Sequence, residues 1–326
     1  FSIFFLTISS GPIERAKHLI PQLRLPADTD LSRIIIGLRR VLFGLFKKLI
    51  IADGLASVVE VVYGEPGNFS GTFLVISTVI FAFQIYADFS GYTDIVLGLG
   101  NLLGIELFEN FRQPYFATSI LDFWKRWHIS LSNWIREFMF YPLTRYLLGQ
   151  NLQMPKRLIQ AFIYITVMGV VGIWHGSSAT FLIWGALHGI YMTIEMLLPT
   201  KFKTKPQNKF STISRSLMTF LLVSFAWIWF RAESLTDGWY IVTHLFKIGN
   251  FLNEFAYFSG NSLLLAVFGI VILICFDLLD STKKLENRLD QVPTIVRWGI
   301  YYSLFIPIIL KILNNPVIKD FVYFRF

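Results

Sequence analysis

His175 stands in Gly169-Val-Val-Gly-Ile-Trp-His-Gly-Ser-Ser, inside the longest stretch of the chain without a charged residue. An ionisable side chain at such a place is expensive unless it has a partner or a task. A neutral imidazole accepts a proton from a hydroxyl near pH 7, and a dry surrounding keeps it unprotonated and ready as a general base. Gly169, Gly172 and Gly176 leave the backbone beside it open to a substrate or to a neighbouring helix. The competing reading is a histidine that bonds one helix to another.

His128 lies in Asp122-Phe-Trp-Lys-Arg-Trp-His-Ile-Ser-Leu-Ser-Asn-Trp. There Asp122 and Arg126 are one helical turn apart and able to pair, and a helix would put His128 on one face with Trp124 and Ser132. Asp88 and Asp94 fall in Gln84-Ile-Tyr-Ala-Asp-Phe-Ser-Gly-Tyr-Thr-Asp, directly after an apolar run, with Gly91 at an expected helix bend. Buried carboxylates need partners, so they are expected to pair with Arg112 or Arg126, to orient a histidine ring, or to cap the next helix. His188, in Trp184-Gly-Ala-Leu-His-Gly, is too far along the chain from His175 to share a helical metal site, and His18 and His244 read as surface or loop residues. No metal centre is expected. Phosphate-cradling glycine loops, the zinc-protease helix and the nucleophile elbow are all absent from the sequence.

The elements that must position these groups are membrane helices. The chain has 326 residues, 54% hydrophobic, 17% aromatic and only 15% charged, with a mean hydropathy of +0.57. Its 33 phenylalanines are more apolar surface than a core of this size hides, which excludes a water-soluble globule and a disordered chain. The formal charge of +8 suits cytoplasmic loops and anionic headgroups. Its basic residues adjoin apolar runs instead of lining a polar face with stacking aromatics, which argues against a nucleic-acid partner. A lone Cys275 in an apolar stretch leaves no intrachain disulfide.

Charge-poor stretches over residues 69–87, 158–194, 216–230, 255–276 and 298–310 predict about six or seven buried or spanning helices, with 158–194 broken into two. Residues 34–53 form an apolar helix interrupted by Arg39, Arg40, Lys47 and Lys48, expected to cross with snorkelling lysines or to lie in the interface. Residues 107–149 read as interfacial helices, with Trp124, Trp127 and Trp134 at headgroup level. The loop 199–215 carries five basic residues and no acid, which the positive-inside rule assigns to the cytoplasm. No internal repeat or soluble second domain is evident, so residues 1–326 are expected to be a single membrane-embedded domain. A start at Phe1, in what reads like the tail of a span, suggests that N-terminal spans are missing.

Five blocks in order, Gln84-Ile-Tyr-Ala-Asp-Phe-Ser-Gly-Tyr-Thr-Asp, Asn110-Phe-Arg-Gln-Pro-Tyr, Asp122-Phe-Trp-Lys-Arg-Trp-His-Ile-Ser-Leu-Ser, Gly172-Ile-Trp-His-Gly and Trp184-Gly-Ala-Leu-His-Gly, resemble the membrane-bound O-acyltransferases. The chain looks most like the bacterial alginate O-acetylase branch, and the teichoic acid D-alanyl transfer protein is a close relative. Ser10-Gly-Pro-Ile and Phe321-Val-Tyr-Phe-Arg-Phe extend the likeness to both ends. The resemblance implies an all-α polytopic transmembrane bundle, a ring of tilted helices with interfacial helices around a central funnel. It implies that His175 is the family's catalytic histidine, that His128 is its second histidine nearer the cytoplasmic entrance, and that Tyr323 passes the acyl group onward. Trp174, Asp88, Asp94, Arg126 and Ser177 are the expected supporting residues, with Trp174, Ser177 and Ser178 as candidate oxyanion donors.

The activity so implied is transfer of an acetyl group from a cytoplasmic thioester, acetyl-CoA, towards an exported alginate-like polysaccharide or peptidoglycan at the bacterial inner membrane. No bound cofactor is expected, and a periplasmic serine-esterase-like partner completes delivery. Three other readings stay open: D-alanyl transfer from a carrier protein to teichoic acid, a transporter using Asp88, Asp94 and the histidines as a proton path, and a structural scaffold.

Overall fold

A computed structural model describes residues 4–8, 10–24, 30–150, 153–199, 208–249, 254, 261–279, 289–314 and 321. Among these there is no strand. In chain order the helices are α1 (Ala16–Arg24), α2 (Leu31–Phe46), a π-helical turn (Lys47–Ala52), α3 (Asp53–Gly64), α4 (Gly71–Leu102), α5 (Ile120–Phe123), α6 (Ile129–Ile135), a second π-helical turn (Arg136–Phe140) and α7 (Tyr141–Gly149). They continue with α8 (Lys156–His175), α9 (Ala179–Leu197), α10 (Lys209–Arg231), α11 (Leu235–His244), α12 (Asn261–Leu279) and α13 (Thr294–Asn314). Five of them, α4, α8, α9, α10 and α13, are long and apolar enough to cross a membrane, and α12 holds a shorter apolar segment, Leu264–Leu278. The chain is an all-α, multi-pass membrane protein. On α13 the side chains of Tyr302, Phe305, Ile306 and Leu310 are exposed, the surface that a lipid-facing helix presents. The expected pair of spans in 158–194 is present as α8 and α9. Of the basic 199–215 loop, residues 200–207 lie outside the described residues, and Lys209 and Arg215 belong to the first turns of α10.

Two compact units share the chain. The first takes residues Phe1–Glu60, Ile80–Glu109 and Leu252–Phe326. Here α2 starts at Asp30, whose carboxylate accepts the Arg33 backbone N–H at 2.7 Å, an N-cap that satisfies one of the helix's free donors. The basic residues of α2 and the π-turn do not snorkel outward. Arg40 pairs with Glu109 and with Asp94 (3.1 Å), Lys47 with Asp94 (2.7 Å), and Lys48 with both Asp88 (2.8 Å) and Asp53 (3.0 Å). Arg39 pairs with Asp290 at 2.6 Å and donates to the Tyr301 hydroxyl at 2.7 Å. Charges withdrawn from water are tolerable when each meets its opposite, and removing one partner of such a pair costs about 3–5 kcal/mol.

Asp88 and Asp94 therefore meet the cations of the interrupted helix. The expected bend at Gly91 is absent, because α4 runs unbroken over 32 residues. Gly91 serves close packing instead. A Cβ placed there would sit 2.8 Å from the Gly44 carbonyl oxygen, and one at Gly44 would sit 2.6 Å from the Gly91 carbonyl oxygen. Small residues let the two backbones approach, which brings Lys47 and Lys48 within reach of α4 carboxylates.

The second unit takes residues Val61–Val79 and Asn110–Phe251. Its α8 and α9 form a hairpin joined by a turn at 176–178, with Ser178 capping α9 through the Thr180 N–H. The seam is made of glycine on glycine: a Cβ at Gly185 would lie 3.1 Å from the Gly172 nitrogen. Of the two openings expected from the glycines, the neighbouring helix is the one that fills the space at Gly172. The segment expected to be interfacial helix is more broken than its pattern suggests. Residues 124–128 form a turn, and Trp124 and Trp127 are buried, so their helix-like spacing marks a core cluster; Trp134 alone of the three is exposed.

Gly91→Leu is expected to force α2 and α4 apart and to lower stability by about 1–3 kcal/mol, the usual cost of overpacking. Thermal unfolding of the purified protein in detergent measures it; an unchanged midpoint would contradict the close-packing role.

Candidate functional site

The second unit gathers three histidines around one aromatic cluster. His175 is the last residue of α8, half-buried, and its ring lies 5.1 Å from that of Trp184, 5.5 Å from Phe230 and 4.9 Å from Trp174. Trp184 stacks on Trp227 at 5.7 Å, and Trp227 meets Trp127 at 5.2 Å. His188, one turn after Trp184 on α9, contacts Trp184 (5.2 Å), Trp124 (5.1 Å) and the face of Phe123 (6.1 Å). Helix α9 thus faces its aromatic and imidazole groups to α10, to Phe123 at the end of α5 and to the turn that follows it.

His128 is held differently. Its backbone has φ of 43°, the left-handed region that non-glycine residues enter only when their surroundings compel it. Asn110 supplies the compulsion. The Asn110 carbonyl accepts from the Ile129 N–H at 2.9 Å, and its side-chain oxygen accepts from the Ser130 N–H (3.1 Å) and hydroxyl (2.7 Å). Because a backbone N–H only donates, the Asn110 atom it meets is the oxygen. His128 Nδ1, 3.3 Å from the same oxygen, then carries the proton, which makes Nε2 the unprotonated nitrogen of the neutral ring. Burial pushes the His128 pKa down to about 3, with a smaller contribution from His175.

His188 has the opposite tautomer. The Trp124 indole N–H, which also only donates, points at His188 Nδ1 across 3.3 Å. The proton of neutral His188 therefore sits on Nε2.

A cavity of about 250 Å³ opens beside this cluster, lined on one side by Trp124, Lys125, Ser132 and Arg136, and on the other by Met168 and Met192 among further residues. Its wall is mostly apolar with two cations, a shape that takes a flexible chain carrying negative charge. The second π-helical turn places Arg136 and Phe140 on this wall.

The expected site residues divide between the units. His175, His128, Trp174, Arg126 and Ser177 belong to the second; Asp88 and Asp94 belong to the first and are engaged in its ion pairs. Arg126 pairs with Asp122 at 3.0 Å, as its spacing predicts. Trp174 is 62% exposed and Ser177 is exposed in the turn after α8. The face shared by His128, Trp124 and Ser132 does not exist, since the helix is interrupted before His128. Tyr323 lies outside the described residues. His18 is on α1, bonded to Glu14 at 2.8 Å and stacked on Phe108, and His244 closes α11. Among the described residues no cluster of potential metal ligands occurs. Two positions escaped the sequence reading: Asn110, whose block was noted without a role, and His188, whose partner is far along the chain.

A depressed pKa makes neutral His128 a source of stability that is complete above its unfolded value of about 6.5 and is lost as pH falls from there towards 3. His128→Asn keeps the donor to Asn110 and tolerates the left-handed backbone, but does not titrate. Between pH 7.5 and 5 the parent is expected to lose more thermal stability than this variant; parallel losses would contradict the assignment.

The chain matches the model of the membrane-bound O-acyltransferase family over residues 1–236. It is 32% identical to the probable alginate O-acetylase of Pseudomonas putida, an alignment that takes in all of this chain and 68% of that protein. It is 36% identical to the peptidoglycan O-acetyltransferase of Helicobacter pylori over 73% of this chain and 44% of that one. The teichoic acid D-alanyltransferase of Bacillus subtilis is 29% identical over 72% of this chain and 60% of that one. The chain spans between 44 and 68% of the length of these relatives. An ordered set of histidine-bearing blocks on apolar helices, matched across most of its length, makes this chain a member of the membrane-bound O-acyltransferase family.

Proposed function

We propose that this chain moves an acetyl group from a thioester donor across the membrane for O-acetylation of a cell-surface polysaccharide, with His175 as the general base that activates the accepting hydroxyl. The observation that carries the reading is the position of His175, at the end of an apolar helix and against a wall of Trp184 and Phe230. The acetylating relatives, at 32–36% identity, favour acetyl transfer over the D-alanyl transfer named for relatives at 27–29%.

The chemistry follows from the groups present. His175 takes the proton of the attacking hydroxyl as the new C–O bond forms; the carbonyl oxygen gains the negative charge; collapse breaks the C–S bond, and the departing thiolate receives the proton from the imidazolium. General-base help of this kind is worth about 10²- to 10⁴-fold. His128, with Nε2 unprotonated, is a second base that relays or receives a proton. The 250 Å³ cavity takes the acyl arm of the donor, with Lys125 and Arg136 meeting its anionic groups and the apolar wall keeping out the water that would hydrolyse it. Acetyl-CoA is the donor in this reading, and a periplasmic esterase-like protein with its own serine completes delivery. Tyr323 is the proposed relay for the acyl group, and residues 1–326 act as one membrane-embedded domain.

His175→Ala is expected to reduce polymer acetylation in cells by at least about 10²-fold while the protein accumulates in the membrane at the parent level. Acetylation at the parent level would refute the role.

A further inference from the structure

Acyl transfer needs hydrogen-bond donors for the oxygen that becomes negative, and the groups expected to provide them, Trp174, Ser177 and Ser178, are exposed. Two other donors are not. Trp184 is 1% and His188 0% exposed, and among the described residues the Trp184 Nε1 and the His188 Nε2 have no hydrogen-bond partner. Because Trp124 donates to Nδ1, the His188 Nε2 bears a proton, so both orphaned atoms are N–H donors. Their rings are neighbours at 5.2 Å on one face of α9, and the His175 ring is 5.1 Å from that of Trp184. A buried donor without an acceptor is costly, and native proteins keep one where something fills it in use.

We infer that the Trp184 and His188 N–H groups form the receptor for the acyl carbonyl oxygen of the thioester, and that Trp124 is a positioning residue that holds His188 in the donating tautomer. The inference deepens the acyl-transfer reading and rests on it. The cavity adjoins the pair: Trp124, Met168 and Met192 line it, Met192 lies one turn beyond His188 on α9, and the Met168 backbone carbonyl on α8 faces Gly185 across the helix seam. Methionine side chains are flexible and unbranched, so the acyl group reaches the donors by displacing them, with no backbone movement required. The oxygen carries only a partial charge in the bound thioester and a full one in the tetrahedral intermediate. The two N–H groups therefore act more strongly on the transition state than on the bound donor.

The test uses the whole protein in detergent with acetyl-CoA as the donor, a soluble hydroxyl-bearing oligosaccharide as the acceptor and thiol release as the readout, beside parent and His175→Ala. Trp184→Phe keeps the aromatic stack and removes one donor. It is expected to lower kcat about 10²- to 10³-fold with KM within about twofold. Its melting temperature should be equal or higher, since an unsatisfied donor has been deleted. His188→Gln, which retains an N–H near the Nε2 position, is expected to keep more activity than His188→Leu at matched stability. Trp184→Phe at the parent rate, or a loss that follows a lowered melting temperature, as for a donor that holds a buried water only, overturns the carbonyl receptor. Equal rates for parent and His175→Ala overturn the acyl-transfer reading as well, so the two failures are distinct.

Discussion

A polar group removed from water must find its partner inside the protein, and in a chain this apolar that requirement governs the fold. Hydrocarbon offers nothing to an ammonium, a carboxylate or an amide. Interior charges of the first unit consequently meet counterparts brought from other segments: Lys48 between Asp53 and Asp88, Lys47 on Asp94, Arg40 between Asp94 and Glu109. Such pairs add little net stability over an apolar core of the same shape, but they penalise any packing that separates them. They fix which face of α2 meets α4.

The second unit meets the same requirement with neutral groups. Asn110 spends its carbonyl and its side-chain oxygen on the turn at residues 128–130, and that one latch holds a strained backbone, a histidine tautomer and the start of α6. Trp124 does the equivalent for His188. Two imidazoles of this unit thus carry their protons on different nitrogens, each set by a neighbour that leaves no choice. One becomes an acceptor of protons and the other a donor of hydrogen bonds, without any change in charge.

The sequence makes some of this legible. Charge-free runs locate α8, α9 and α10, because a span must be apolar along its length, and the pair Asp122 and Arg126 follows from helical spacing alone. His175 stands out for being ionisable where ionisation is costly. What the sequence hides is non-local. Lys48 and Asp88 are forty residues apart, and nothing in either segment names the other. Trp124 and Trp127 have the spacing of an interfacial helix, but α5 stops at Phe123 and residues 124–128 form a turn, so the rings turn inward. A glycine in a long helix signals a bend or a close contact equally well, and only the opposing Gly44 shows which Gly91 is.

The π-helical turn at Lys47–Ala52 has a consequence for how this chain tolerates insertions and deletions. Such a turn holds one residue more than an α-helix needs. Losing a single codon there would relax it to ordinary helix while α3 kept its orientation to α2. The same loss inside α2 would turn everything after it by about 100° and carry Lys47 and Lys48 away from Asp94 and Asp88. Single-codon deletions among descendants of this sequence should therefore be tolerated in this short stretch, as in the loops, and avoided in the helices on either side.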